Sequence, residues 1–303
     1  MSRVAAIDCG TNSLRLLIAD ITDGNFHEID RQMNVVRLGQ GVDRTKAFDP
    51  EAIARTLKVT AEYAALIRAK GVEKIRFCAT SATRDATNRA LFIEGVREIL
   101  GIEPEVIPGS EEAALSFTGA TKSLPERDGP FLVVDIGGGS TEFVFGTSRV
   151  ESAKSVNIGC VRMKERHLKS QPPTPEQLEL ARFDINAAIA DAASIVPITA
   201  SRTLIAVAGT ATTVAAAALG LAEYDRYAIH LSRIPAQAVH EVAAMFAGMN
   251  PDEIAALGYM HPGRVDVITS GSLVLSEIMN ATGAKEFVAS ETDILDGMAW
   301  SLV

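Results

Sequence analysis

Asp8, Asp135 and Glu142 are carboxylates set beside short turns rich in glycine, serine and threonine. Hard divalent cations take carboxylate oxygens, and magnesium commonly bridges a protein carboxylate to phosphate oxygens, so these residues are candidate metal ligands. The turns are Gly10, Thr11, Asn12, Ser13 and Gly137, Gly138, Gly139, Ser140, Thr141. Glycine lets the backbone approach an anion closely, and successive N–H groups with hydroxyls among them can cradle phosphates. Taken singly, each turn also reads as plain turn chemistry with an aspartate cap. A third loop, Gly209 and Thr210 with Ala211, Thr212 and Thr213, precedes an alanine-rich stretch. A phosphate there would meet free N–H groups and the positive end of a helix dipole; the plainer reading is a threonine-capped helix start.

Glu111 and Glu112 follow Ser110 at an expected helix start. Acids are common there for dipole reasons alone, but one of them can orient and deprotonate a water. A carboxylate in that position is expected to stay ionised at neutral pH. Arg84 follows an expected strand, where its guanidinium suits a phosphate or pairs with Asp85. Cys9 and Arg15 have the spacing of a Cys-x5-Arg phosphatase loop, in which a thiolate attacks phosphorus. That loop runs from a strand into a helix. Here residues 14–19 read as a strand, so Arg15 is expected to diverge from the cysteine. GxxxxGK[ST], HExxH, GxSxG and GxGxxG are all absent, and the five histidines are scattered.

The elements that must position these groups are legible as a repeat. Residues 4–20 (VAAIDCGTNSLRLLIAD) and 131–146 (FLVVDIGGGSTEFVFG) share a register: Asp8 with Asp135, Gly10 with Gly137, Ser13 with Ser140. Each reads as a hairpin opening one half of the chain, which implies two similar lobes facing each other. Strands and helices alternate in the rest of each half, an α/β pattern. Asp49 and Pro50 open a helix that Gly71 closes. Residues 124–130 (LPERDGP) are the expected linker. Ser290 and Asp293 look like the capping start of the last helix.

Bulk properties narrow the class. A chain of 303 residues suits two domains, and 47% hydrophobic with 22% charged residues is a globular balance. The net charge of −9 argues against nucleic-acid binding, which wants a basic face. A polyanionic substrate remains compatible, because charge is focused locally. Three widely spaced cysteines suggest neither a disulfide framework nor zinc, and fit a reduced, cytoplasmic setting. The N-terminus shows no signal-peptide pattern and no window suits a membrane span, so no membrane partner is expected.

Taken in order, the motifs resemble the exopolyphosphatase/guanosine pentaphosphate phosphohydrolase (Ppx/GppA) family. They are AIDCGTNSLRLLIADI at 6–21, VRLGQGVD at 36–43, ATSATRDATN at 79–88 and EVIPGSEEAALSFTGA at 105–120. VVDIGGGSTEF at 133–143, NIGCVRMKER at 157–166, AGTATTVAA at 208–216, GRVDVI at 263–268 and SETDILDGMA at 290–299 complete the set. The resemblance implies an α/β actin-like fold: two ribonuclease-H-like lobes, 1–125 and 126–289, with the site in the interdomain cleft and the last helix, 290–303, packing back on the first lobe.

It also implies hydrolysis of the terminal phosphoanhydride of inorganic polyphosphate, or of pppGpp in the same cleft, with a divalent metal, Mg2+ or Mn2+. Glu112 takes the place of the family's catalytic base, with Glu111 beside it and Asp135 and Glu142 tied to metal and water. The three loops and Arg84 take the place of the phosphate cradle. A non-catalytic polyphosphate or nucleotide sensor is the reading of another class, and the full acidic set argues against it. The chain ends after the two-lobe core, without the further helical domains of long members. Short polyphosphates, or a homodimer that lengthens the groove, are therefore expected. Residues 268–271 depart from the glycine-richer adenosine turn of related kinases, which argues against ATP as donor.

Overall fold

The structure is a computed structural model that describes residues 2–22 and 24–303. It divides into two units: Met1–Gly119 with Ile294–Val303, and Ala120–Asp293. The division falls inside a helix, just before the proline-containing segment 124–130.

In the first unit, β1 (Ser2–Cys9), β2 (Ser13–Thr22) and β3 (Asn25–Val35) run antiparallel, and β4 (Lys74–Ala79) and β5 (Glu105–Val106) add parallel strands. Among the described residues the sheet order is β3-β2-β1-β4-β5. Strand alternation sends Ala5, Ile7 and Cys9 to one core and Val4 and Ala6 to another. After α1 (Val42–Thr45), α2 (Pro50–Ala69) begins on Asp49, whose side chain accepts from the Glu51 and Ala52 N–H groups, with Pro50 at the first turn. α3 (Ser81–Asp85) follows β4 directly, and α4 (Arg89–Leu100) ends on Gly101 at φ +72°. α5 (Gly109–Thr121) begins just after β5.

The second unit opens with β6 (Phe131–Ile136) and β7 (Thr141–Gly146), both wholly buried, followed by β8 (Val150–Val156) and α6 (Cys160–Arg166). α7 (Pro175–Ala193), β9 (Thr203–Val207), α8 (Ala208–Ala218), α9 (Arg226–Ile229), β10 (Arg233–Pro235) and α10 (Ala236–Gly248) come next. α11 (Pro251–Ala255), α12 (Ile268–Thr282) and β11 (Glu286–Ala289) complete it. Its sheet order, β10-β11-β9-β6-β7-β8, contains the first unit's order again: an antiparallel trio, then parallel neighbours. α12 is buried along almost its whole length, so it is the central helix of this core.

The last helix, α13 (Ile294–Trp300), lies against β1 and β2. Ile294, Leu295, Met298 and Ala299 join Val4, Ala6, Leu17 and Leu115 in one cluster. A Cβ on Gly297 would lie 2.0 Å from the Leu115 carbonyl oxygen, so only glycine permits this approach. The helix starts at Ile294 rather than at Ser290: the Ser290 hydroxyl turns back on Thr292 as the chain leaves β11. Among the described residues no helix is long and apolar enough to cross a membrane.

Candidate active site

The two hairpin bends share their internal geometry. Gly10 N–H donates to the Ser13 carbonyl at 3.0 Å, and Gly137 N–H donates to the Ser140 carbonyl at 3.0 Å. Each bend is then braced from behind by the segment that follows the third strand of its unit. In the first unit Gly39 N–H reaches the Thr11 carbonyl at 2.8 Å, and Val36 and Arg37 N–H reach that of Asn12 at 3.0 and 2.8 Å. In the second, Cys160 N–H reaches Gly137, Val161 and Arg162 N–H reach Gly138, and Arg162 Nε reaches Gly139 at 2.6 Å.

These braces decide where the amides point. In a planar trans peptide the N–H of one residue opposes the carbonyl of the residue before it. Because the carbonyls face the brace, the N–H groups of Asn12 and Ser13, and of Gly138, Gly139 and Ser140, face the other way. Rows of N–H groups of this kind suit an anion, as a nest of backbone donors does. Among the described residues the buried Thr11 Oγ1 finds no hydrogen-bond partner, which suits a group kept for a ligand oxygen. The fit is tight: a Cβ on Gly159 would sit 2.3 Å from Gly138 backbone atoms, and one on Gly39 2.4 Å from Thr11 Cγ2. Sequence reasoning did not single out Gly39 or Gly159, because a lone glycine carries no signal of what it touches.

Glu112 stands at the head of α5, with a side chain only 11% exposed. Arg84 Nη1 donates to its Oε2 at 2.7 Å and to the Ile107 carbonyl at 3.0 Å. Arg84 thus forms an ion pair with Glu112. Burial pushes the Glu112 carboxyl above its usual range, Arg84 and the Thr80 hydroxyl pull it down, and nearby Asp8 pushes it up again. The net direction is upward, which tempers the expectation of a plainly ionised helix-end acid. Glu111, one residue earlier, leaves the helix about 100° around and pairs with Arg76 beside Glu105. The structure therefore does not bring Glu111 to Glu112 and Arg84.

Asp8 and Asp135 occupy equivalent strand ends but face different partners. Arg15 lies opposite Asp8 across β1–β2 and binds its Oδ2 through Nε and Nη2 at 2.9 and 2.7 Å. Glu142 lies opposite Asp135 across β6–β7 and accepts from the Ser155 hydroxyl at 2.7 Å. Asp135 is 6% exposed and Glu142 fully buried. Among the described residues no group of three or more His, Cys, Asp or Glu gathers as a metal site. Two opposed carboxylates nevertheless fit a hard cation held through one or two protein oxygens and completed by water and phosphate, magnesium's usual habit. Asp8, already held by Arg15, fits that role less well.

The third loop is shaped by two features. Ala208 takes φ +66°, a left-handed conformation unusual for a residue with a side chain, as β9 turns into α8. Arg264 then lies against the backbone of Gly209, where a Cβ would meet its guanidinium at 2.5–2.6 Å, and donates to the Thr213 hydroxyl at 3.0 Å. The place of Arg264 beside the Gly209 backbone needed the fold. The cysteines give no nucleophile: burial raises the Cys9 thiol strongly, and pushes Cys78 up to about 12 and Cys160 up to about 11. Arg15 is engaged with Asp8, as its position on a strand foretold.

The Ppx/GppA phosphatase family model matches residues 17–303, and the chain belongs to that family. It is 46% identical to Exopolyphosphatase 2 of Mycobacterium tuberculosis, over 100% of this chain and 99% of the relative. A crystal structure of an exopolyphosphatase-like protein superposes with a TM-score of 0.96 at 43% identity, covering 99% of this chain and 97% of that one. The guanosine-5'-triphosphate,3'-diphosphate pyrophosphatase of Vibrio atlanticus is 36% identical, over 66% of this chain and 39% of its own length.

Proposed function

We propose that this protein is an exopolyphosphatase that releases terminal phosphate from inorganic polyphosphate by direct attack of water. The observation that carries the mechanism is Glu112, a buried carboxylate at a helix start, fixed by Arg84 at 2.7 Å. With its carboxyl raised by burial, Glu112 is poised nearer the operating pH, where a general base works best. It takes the proton from water as the new P–O bond forms and the anhydride P–O bond breaks, the shortened polyphosphate leaving with the bond electrons. Arg84 holds the carboxylate orientation and stabilises its ionised form.

In the first unit Asn12 and Ser13 N–H with the Thr11 hydroxyl, and in the second the N–H groups of Gly138, Gly139 and Ser140, are the candidate phosphate donors. Gly209 and Thr210, beside Arg264, are further phosphate contacts. Fixed donors of this kind neutralise developing charge without reorganising. Asp135 and Glu142 would hold a divalent cation, Mg2+ or Mn2+, whose chemistry is neutralisation of phosphate charge. Glu111, paired with Arg76, serves packing in this reading rather than proton transfer.

The full-length similarity to a named exopolyphosphatase supports polyphosphate ahead of pppGpp. The test is purified protein with magnesium and defined-length polyphosphate, phosphate release being measured, and pppGpp assayed in parallel. Release from polyphosphate at a higher kcat/KM than from pppGpp is expected. Faster release from pppGpp would reverse the assignment, and binding without release from either would make the protein a sensor.

A further inference from the structure

A cavity of about 600 Å³ opens in the second unit among α7, α10 and α12. That volume falls within the range of small-molecule sites. Its lining follows helical periodicity: Leu178 and Arg182 on α7, and Thr269, Leu273, Ser276, Glu277 and Asn280 on α12. On α10, His240 and the small residues Ala243, Ala244 and Ala247 share one face and form a low wall.

The floor is polar and buried. Glu277 is 8% and Ser276 7% exposed. Arg182 Nε donates to Glu277 Oε1 at 3.2 Å, and Asn186 Nδ2 to Oε2 at 3.1 Å. A carboxylate offers about four acceptor sites, so Glu277 retains capacity toward the cavity. Ser276 Oγ lies 2.8 Å from His240 Nδ1. Arg182 and Glu277, the charged residues of the lining, offset one another, so hydrogen bonding rather than net charge selects the occupant.

We propose that this cavity is an effector site for an uncharged, flat heteroaromatic molecule of nucleoside size. Its ring lies on the Ala243, Ala244 and Ala247 wall and its N–H groups donate to Glu277. α12 carries the effect: one to two turns from the cavity floor, Ser270 Oγ donates to the Cys160 carbonyl at 2.6 Å, and Gly271 packs on Thr210. Cys160 and Thr210 are the residues that brace the glycine bend and follow Gly209. This site is separate from the phosphate loops, and its binding arm does not depend on the reaction assigned above.

The probes are adenosine, inosine, cytidine and uridine at millimolar concentration, read by thermal melting of the whole protein. At least one should raise Tm by about 2 °C or more, because a ligand that binds only the folded state stabilises it. Ala244→Trp fills the cavity at an exposed position and should abolish the shift while the unliganded Tm and phosphate release stay unchanged. Glu277→Gln, which removes the charged acceptor, should shrink the shift. No shift with any nucleoside, or an undiminished shift in Ala244→Trp, overturns the site. A binder that changes phosphate release from polyphosphate less than about twofold in the wild type overturns the effector role.

Discussion

In the first unit the residue facing the strand-end aspartate across the hairpin is Arg15; in the second it is Glu142. The bends are otherwise alike, from the glycine N–H bonded to a serine carbonyl to the brace behind it. One duplicated backbone thus carries two electrostatic designs. Asp8 and Arg15 form a neutral pair, whereas Asp135 and Glu142 put like charges at directly opposed positions, which is unfavourable unless a cation compensates. Glu112, the proton acceptor in the mechanism proposed above, stands in the unit whose hairpin pair is already neutral. A duplicated scaffold thus carries different charges at one cross-strand position.

The largest expected effect lies at Glu112. Glu112→Gln keeps the shape and the contact with Arg84 but removes the base, and kcat for phosphate release should fall by about 10²- to 10⁴-fold. Circular dichroism should show an unchanged fold. A variant retaining more than a tenth of wild-type kcat would assign proton transfer elsewhere.

The next pair tests the electrostatic contrast directly. Glu142→Gln should raise the magnesium concentration for half-activation by roughly 10-fold or more, with little change in melting. Arg15→Gln should do the reverse: metal response stays, and stability drops by on the order of 2 kcal/mol. That is less than the 3–5 kcal/mol of a fully buried broken pair, since solvent reaches part of Arg15. Equal metal responses from the two variants would erase the distinction between the hairpins.

The repeated turns were readable because Asp, Gly and Ser keep their register through 4–20 and 131–146. What sits behind and across them was not. Arg15 was expected to diverge from Cys9, but its partner Asp8 was not legible, since that pairing depends on antiparallel register. Arg264 reaches Gly209 from a turn far along the chain, and no local pattern announces such a contact. The Ser290 and Asp293 spacing imitated a helix start, but β11 ends at Ala289 and the serine hydroxyl is spent on the turn. A long periodic element such as α2 needed only its Asp-Pro opening to be recognised.

The braces give a smaller, graded effect. In Gly159→Ala the new methyl meets Gly138 backbone at 2.3 Å and cannot be relieved by a rotamer. In Gly39→Ala it meets Thr11 Cγ2 at 2.4 Å and Ala82 Cβ at 2.8 Å, where at least the threonine is a side chain that can turn. Overpacking of this kind costs about 1–3 kcal/mol, so Gly159→Ala should lie at the upper end and also raise KM for polyphosphate. Calorimetry and initial rates on both variants check the order; a larger loss in Gly39→Ala would mean that the first brace is the stiffer one.

A pH series separates burial from pairing at Glu112. Burial sets its folded carboxyl above the unfolded value, so between those values the native state binds the extra proton. Stability from this group is present below the ordinary carboxylate range and is lost as pH rises through the raised folded value. Glu112→Gln lacks this dependence, and its stability relative to wild type should rise across that window in denaturant titrations. A difference that falls with pH would mean that Arg84 outweighs burial.

The smallest effect is expected at Cys9, and it decides between two kinds of chemistry. The thiol is 1% exposed, packed in the first unit's core, and held protonated by burial and by neighbouring Asp8. A nucleophilic cysteine needs the opposite: partial exposure and a cation to lower its pKa. Arg15, which has the phosphatase-loop spacing from Cys9, spends two donors on Asp8. Cys9→Ala should therefore leave kcat within about twofold while lowering Tm slightly through the small cavity it leaves. A burst of covalent phosphoenzyme in the wild type, lost in Cys9→Ala, would replace water attack with a thiolate mechanism and make the hairpin of the first unit the catalytic one.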